Sequence, residues 1–173
     1  MKNNKTKTLV ITSIMLALMM VLSILERMLP PLPGFPPGAS LGIANIITMY
    51  CIFFLGAKRA LGLAALKSLF VFLIRGPIAG LLSFCGGFLS LCIIALLVAV
   101  FRRKISYVAA SVCGAISHNM GQMVVAAILM NTSVFFYMPF LIITGISMGA
   151  ATGVTFVVLL PVFHNFFGVD IER

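Results

Sequence analysis

Long apolar stretches run along this chain, separated by short clusters of glycine, proline and basic residues. A helix that crosses a bilayer core needs about 20 apolar residues, within a range of about 17–25. On that measure the pattern predicts six helical spans, at roughly 8–28, 41–56, 60–75, 79–101, 105–130 and 135–163. The boundaries are explicit. A proline-rich stretch, LPPLPGFPPGAS, runs from Leu29 to Ser40. Gly56, Ala57, Lys58 and Arg59 form a short turn, and Gly76 with Pro77 breaks the chain again. Arg102, Arg103 and Lys104 mark the next boundary, and Asn131, Thr132 and Ser133 the last. Spans two and three are short, which suits helices with little tilt or a thinned, water-accessible region. Residues 1–173 read as one transmembrane domain of all-α class, a polytopic membrane helical bundle.

Composition agrees. Of the 173 residues, 62% are hydrophobic and 9% charged, where a soluble domain carries about 25% charged residues. The formal charge of +9 does not indicate nucleic acid, because the basic residues sit at the ends of apolar runs rather than in one patch. They act as topology signals. With the N-terminus in the cytoplasm, Lys2, Lys5, Lys7, Lys58, Arg59, Arg102, Arg103, Lys104 and Arg173 are all cytoplasmic. Arg27 and Arg75 then lie at the outer face, and Lys67 lies within a span. The expected arrangement is therefore N-in/C-in, multi-pass in a bacterial cytoplasmic (inner) membrane. The run from Thr8 to Leu25 is too long for a signal-peptide core and no small-x-small site follows, so it reads as a retained span. Cys51, Cys85, Cys92 and Cys113 all fall in apolar segments, match no metal or redox spacing and are expected to form no disulfide.

Helices in lipid associate through small residues, because apolar side chains gain little by leaving apolar lipid. Gly145, Gly149 and Gly153 form such a ridge on span six, with Ser83 and Gly87 on span four and Ala110 and Gly114 on span five. Each serves internal packing or docks a partner helix. Ser13 and Ala17, in the cytoplasmic half of span one, are the best candidates for partner docking.

Polar side chains inside a bilayer are costly, so each is a candidate functional group. Lys67 stands about 10 Å along span three at 1.5 Å per residue, too deep to snorkel without strain. It requires a cavity, a counter-charge or a bound anion. Span five carries His118, Asn119 and Gln122 in the segment SHNMGQ. His118 and Gln122 share a helix face, which Ala110, Gly114 and Ala126 extend. These groups line a pocket or hold helices together. Nearer the outer face are Glu26, Arg27, Asn45 and Arg75; the cation excess there favours an anionic ligand. Five prolines between Pro30 and Pro37 stiffen the first loop, as a pocket cap or a plain connector.

Several chemistries are excluded. Glu26, Asp170 and Glu172 are the three acids, so no aspartate pair holds magnesium, no carboxylate pair does acid–base work and no Ser/His/Asp set fits within the bundle. There is no Walker A loop. The chain alone is not expected to be an enzyme, and no metal or cofactor is expected.

The stretch LERMLPPLPGFPPGASLGIAN, the turn GAKRAL, the glycine pair in LLSFCGGFLSL and the segment SHNMGQ resemble the Gx transporter family. That family is also labelled heptaprenyl diphosphate synthase component I. The resemblance covers nearly the whole chain, with segments in the same order. It implies likeness to the substrate-binding S components of energy-coupling-factor transporters, six-helix bundles with a pocket near the outer face. It also implies that Glu26, Asn45, Lys67, His118, Asn119 and Gln122 line the site. The first span of S components docks a coupling subunit through a small-xxx-small motif, usually two alanines; here Ser13 and Ala17 match, and the serine departs from the pattern. The family's association with menaquinone and flavin-based electron transfer implies a quinone-precursor or flavin link. Two readings follow. One is a transport component that captures a small ligand, coupled to a transmembrane subunit with ATPases. The other is a non-catalytic membrane subunit serving a prenyl synthase catalytic subunit or an electron-transfer assembly.

Overall fold

The computed structural model describes residues 2–28, 42–101, 105–130 and 134–167. The proline-rich loop, the Arg102–Lys104 cluster, the 131–133 turn and the acidic tail lie outside the described residues. Six α-helices follow one another: α1 (Lys2–Met28), α2 (Asn45–Tyr50), α3 (Ala57–Arg75), α4 (Pro77–Val100), α5 (Tyr107–Met130) and α6 (Met138–Phe167). A π-helical turn, Cys51–Leu55, prolongs α2, and a 3-10 turn, Val134–Tyr137, leads into α6. No strand occurs among the described residues. The four cysteines are free.

α1, α4, α5 and α6 are each long and apolar enough to cross a membrane, which makes this a polytopic membrane bundle. α3 has 19 residues but carries Lys58, Arg59, Lys67 and Arg75. α2 differs from the expected span. Its six α-helical and five π-helical residues cover about 16 Å, roughly half of a ~30 Å hydrocarbon core. The reason lies in its position. Ile46, Ile47, Met49, Tyr50, Cys51, Ile52 and Phe53 are all buried, so α2 is the centre of the bundle and its neighbours face the lipid. Tyr50 packs on Phe54 and Phe163 at ring-centroid distances of 4.9 and 5.0 Å. Phe53 meets Tyr107 edge-on at 4.9 Å.

Glycines set the helix boundaries. Gly56 (φ 92°, ψ 158°) ends the π turn and Gly76 (φ 90°, ψ 174°) ends α3, in a region open essentially to glycine alone. Pro77 then occupies the first turn of α4, where its missing N–H costs nothing. The expected four-residue turn at 56–59 shrinks to Gly56. Lys58 and Arg59 join α3, and the Arg59 Nη1 donates to the Leu55 carbonyl at 2.8 Å, satisfying a helix-end acceptor.

The close helix pairs are α5–α6, α4–α5 and α3–α4. The expected ridge on α6 is the α5–α6 seam. A Cβ on Gly149 would stand 2.6 Å from the Val112 Cα, and one on Gly153 2.8 Å from the Val108 Cα. On α4 the close approach belongs to Gly86 rather than Gly87, which faces only the Ala64 methyl at 4.0 Å. α1 buries Ile11, Met15 and Met19 inward and exposes Val10, Ile14, Leu18, Val21 and Leu25. Ser13 and Ala17 are exposed on it.

Candidate functional site

Small residues on α5 and α6 let these helices approach α4 and one another, and leave a gap where all three meet the start of α2. The gap is a cavity of about 50 Å³, room for one or two waters at a liquid share of about 30 Å³ each. Gly42, Asn45 and Met49 line it from the α2 side, and Ser90 and Ile94 from α4. α5 contributes Ser111, Gly114, Ala115, His118 and Asn119; α6 contributes Leu141, Thr144, Gly145, Met148 and Thr152. None of these side chains is Asp, Glu, Lys or Arg.

His118 is 7% exposed. Its ring lies against α4 at Gly86, where an added Cβ would come within 3.0 Å of the His118 Cε1 and 2.9 Å of its carbonyl oxygen. Its Nδ1 is buried without a hydrogen-bond partner.

Asn119 donates from Nδ2 to the Leu141 carbonyl at 2.9 Å, and the Thr144 hydroxyl donates to the same oxygen at 3.1 Å. The acceptor end of Asn119, Oδ1, is the end left over. Asn45 is held the other way round: its Oδ1 accepts from the Lys67 ammonium at 3.0 Å. An ammonium can only donate, so this bond fixes the amide with Nδ2 turned away from Lys67. Behind it, the Glu26 Oε1 accepts from the Ile43 N–H at 2.9 Å and lies within electrostatic reach of Lys67.

The structure thus brings three of the expected site residues, Asn45, His118 and Asn119, to the cavity wall. Lys67 and Glu26 stand one step behind Asn45. Lys67 is deeper than the sequence suggested, about 15 Å along an α3 that starts at Ala57. Asn45 meets it there through the 3.0 Å bond. Gln122 is one turn from His118 and packs on Gly86, its Cγ 2.9 Å from where a Cβ would be. Arg75 is exposed at the end of α3, away from the cavity; the Arg27 side chain lies outside the description. Ser90, Ser111, Thr144, Met148 and Thr152 were not anticipated. Their only signal is spacing: Thr144, Met148 and Thr152 recur every four residues, each directly before a glycine of the ridge.

The fold has a solved counterpart. The S component of a bacterial ECF transporter superposes with a TM-score of 0.73 over 98% of this chain and 99% of that one, at 19% identity; the likeness is one of fold. No curated protein matches. The family described as heptaprenyl diphosphate synthase component I matches residues 15–159. That match spans most of the chain, from the middle of α1 to the last third of α6, and the chain belongs to this family.

Proposed function

We propose that this protein is the substrate-binding membrane component of a transporter, akin to an S component. In this reading it is multi-pass in a bacterial cytoplasmic membrane with both termini in the cytoplasm. The observation that carries the reading is the cavity, walled by the Asn45 and Asn119 amides and by the hydroxyls of Ser90, Ser111 and Thr152. Hydrogen bonds that merely join helices satisfy their own donors and acceptors. A wall on which Asn45 Nδ2 and Asn119 Oδ1 are left over from the bonds to Lys67 and Leu141 fits a ligand site. The counterpart of the same fold is itself a transporter component.

A quinone precursor, flavin or other isoprenoid-linked compound exceeds a cavity of about 50 Å³, so binding requires the site to widen. Met49 and Met148 line it, and methionine side chains yield readily. The expectation of an anionic ligand finds no support in a wall without lysine or arginine. Ser13 and Ala17 are exposed on α1, where a coupling transmembrane subunit with its ATPases would dock.

The family description favours a second reading, a non-catalytic membrane subunit that holds a prenyl synthase catalytic subunit or an electron-transfer assembly. Mass spectrometry of compounds that co-purify with wild type, Asn45→Ala and His118→Ala separates the two. A small molecule retained by folded wild type and lost from both folded variants supports the transport component. A synthase subunit that co-purifies equally with all three, with no small molecule, supports the second reading.

A further inference from the structure

The hydrogen-bonding sense of the cavity wall is set by partners outside it. Lys67 takes the oxygen of Asn45, so the cavity is offered the amide N–H₂. Leu141 takes the N–H₂ of Asn119, so the free end there is an oxygen. One fixed donor and one fixed acceptor result, with the hydroxyls of Ser111 and Thr152 free to serve either sense.

We infer that this site takes an uncharged polar group with an N–H donor and a carbonyl acceptor, the edge of a cyclic amide or imide, and rejects phosphate, diphosphate and carboxylate. The inference rests on the binding-site reading above and narrows its ligand class. An anion placed here meets no cation on the wall. Lys67 is engaged by Asn45, with Glu26 in electrostatic reach. The anion would face the lone pairs of Asn119 Oδ1. Burying an ion without a compensating charge is far more costly than burying a neutral amide whose hydrogen bonds are made. A cation fares no better, since no carboxylate lines the wall. A neutral group with donors and an acceptor matches every fixed atom. Its N–H reaches Asn119 Oδ1, and its carbonyl accepts from Asn45.

The test uses the full chain in detergent and three probes: uracil, 1,3-dimethyluracil and inorganic pyrophosphate. Uracil offers ring N–H and C=O groups; its dimethyl form keeps the ring and carbonyls and loses both donors. Uracil is expected to raise the thermal unfolding midpoint saturably, by about 2 °C or more at saturation. The dimethyl form and pyrophosphate are expected to leave it unchanged. Asn45→Asp, which replaces the donor with an acceptor, is expected to abolish the uracil shift; Asn45→Leu serves if the aspartate variant does not fold. A pyrophosphate shift that Asn45→Leu removes would overturn the ligand class and leave the binding-site reading standing. Equal shifts from uracil and its dimethyl form, or no shift from any probe, would overturn the inference. In the last case the co-purification experiment decides the binding-site reading separately.

Discussion

Gly149 offers a direct test of how α5 and α6 are held together. A methyl group there would lie 2.6 Å from the Val112 Cα, 3.0 Å from the Ala115 Cβ and 3.1 Å from the Ser111 carbonyl oxygen. Two of these neighbours are backbone atoms, which cannot rotate aside, so the helices must part by about 1 Å to restore a normal carbon–carbon separation of about 3.5–4.0 Å. Overpacking of this kind costs about 1–3 kcal/mol. Alanine also gains about 0.8–1.0 kcal/mol over glycine as a helix former, which masks part of the effect. Gly62 removes the ambiguity. It lies inside α3 with nothing within 4 Å of where its Cβ would be, so Gly62→Ala carries the propensity gain alone.

The difference between Gly149→Ala and Gly62→Ala is therefore the steric cost, expected to be about 2 kcal/mol. For a chain of this size that separates the thermal midpoints by about 4–8 °C, with Gly149→Ala the lower. The measurement is thermal unfolding of both variants and wild type in the same detergent. Midpoints that coincide within about 1 °C would refute the reasoning. They would mean that the α5–α6 seam tolerates a methyl group, and that the cavity walls on these helices are not fixed by glycine.

Gly76→Ala places a Cβ at φ 90°, ψ 174° and is expected to cost about 1–3 kcal/mol, read as a lower midpoint than that of Gly62→Ala; equality would mean that the α3–α4 junction relaxes freely. Lys67→Met is expected to leave the chain folded and weaken ligand binding only about twofold, because it frees the Asn45 amide to occupy either orientation and halves the competent population. Complete loss of binding in folded protein would place Lys67 on the ligand itself. Ala17→Leu adds bulk to an exposed face of α1 and is expected to abolish co-purification of a partner membrane subunit without moving the thermal midpoint or ligand retention. Retained partner would exclude this face as the docking surface.

The helices and their breaks could be read from the sequence because glycine, proline and charge interrupt apolar runs for simple reasons of backbone and solvent. The ridge at Gly145, Gly149 and Gly153 was visible for the same kind of reason, although only the structure says that it faces α5. The central position of α2 was not visible. Lipid-facing and buried residues are equally apolar in a membrane protein, so hydropathy cannot tell the core from the rim. The hydroxyl groups at the cavity were hidden differently. Ser13, Ser68, Ser117, Ser147 and Thr155 all donate to the carbonyl four residues earlier, so a hydroxyl within a span does not by itself mark a pocket. The segment at His118 and Asn119 stood out because an imidazole and an amide cannot be satisfied so locally.

Lys67 shows how a charge can act on a site that it does not touch. An ammonium at the centre of a span costs about 2.5–3.5 kcal/mol on insertion scales, and a methionine would fill the same space without that cost. A lysine that bound ligand directly would be expected on the cavity wall, yet Lys67 is absent from it and bonds to Asn45 instead. A glutamine or serine could also meet the Asn45 oxygen, but each can accept as well as donate, so the amide could turn over without losing its bond. An ammonium offers only donors; turning the amide would set N–H against N–H. Glu26, tied to the start of α2 through Ile43, offsets the charge. The three side chains convert an intramembrane charge into the fixed orientation of one neutral amide, and that orientation gives the cavity its single fixed donor.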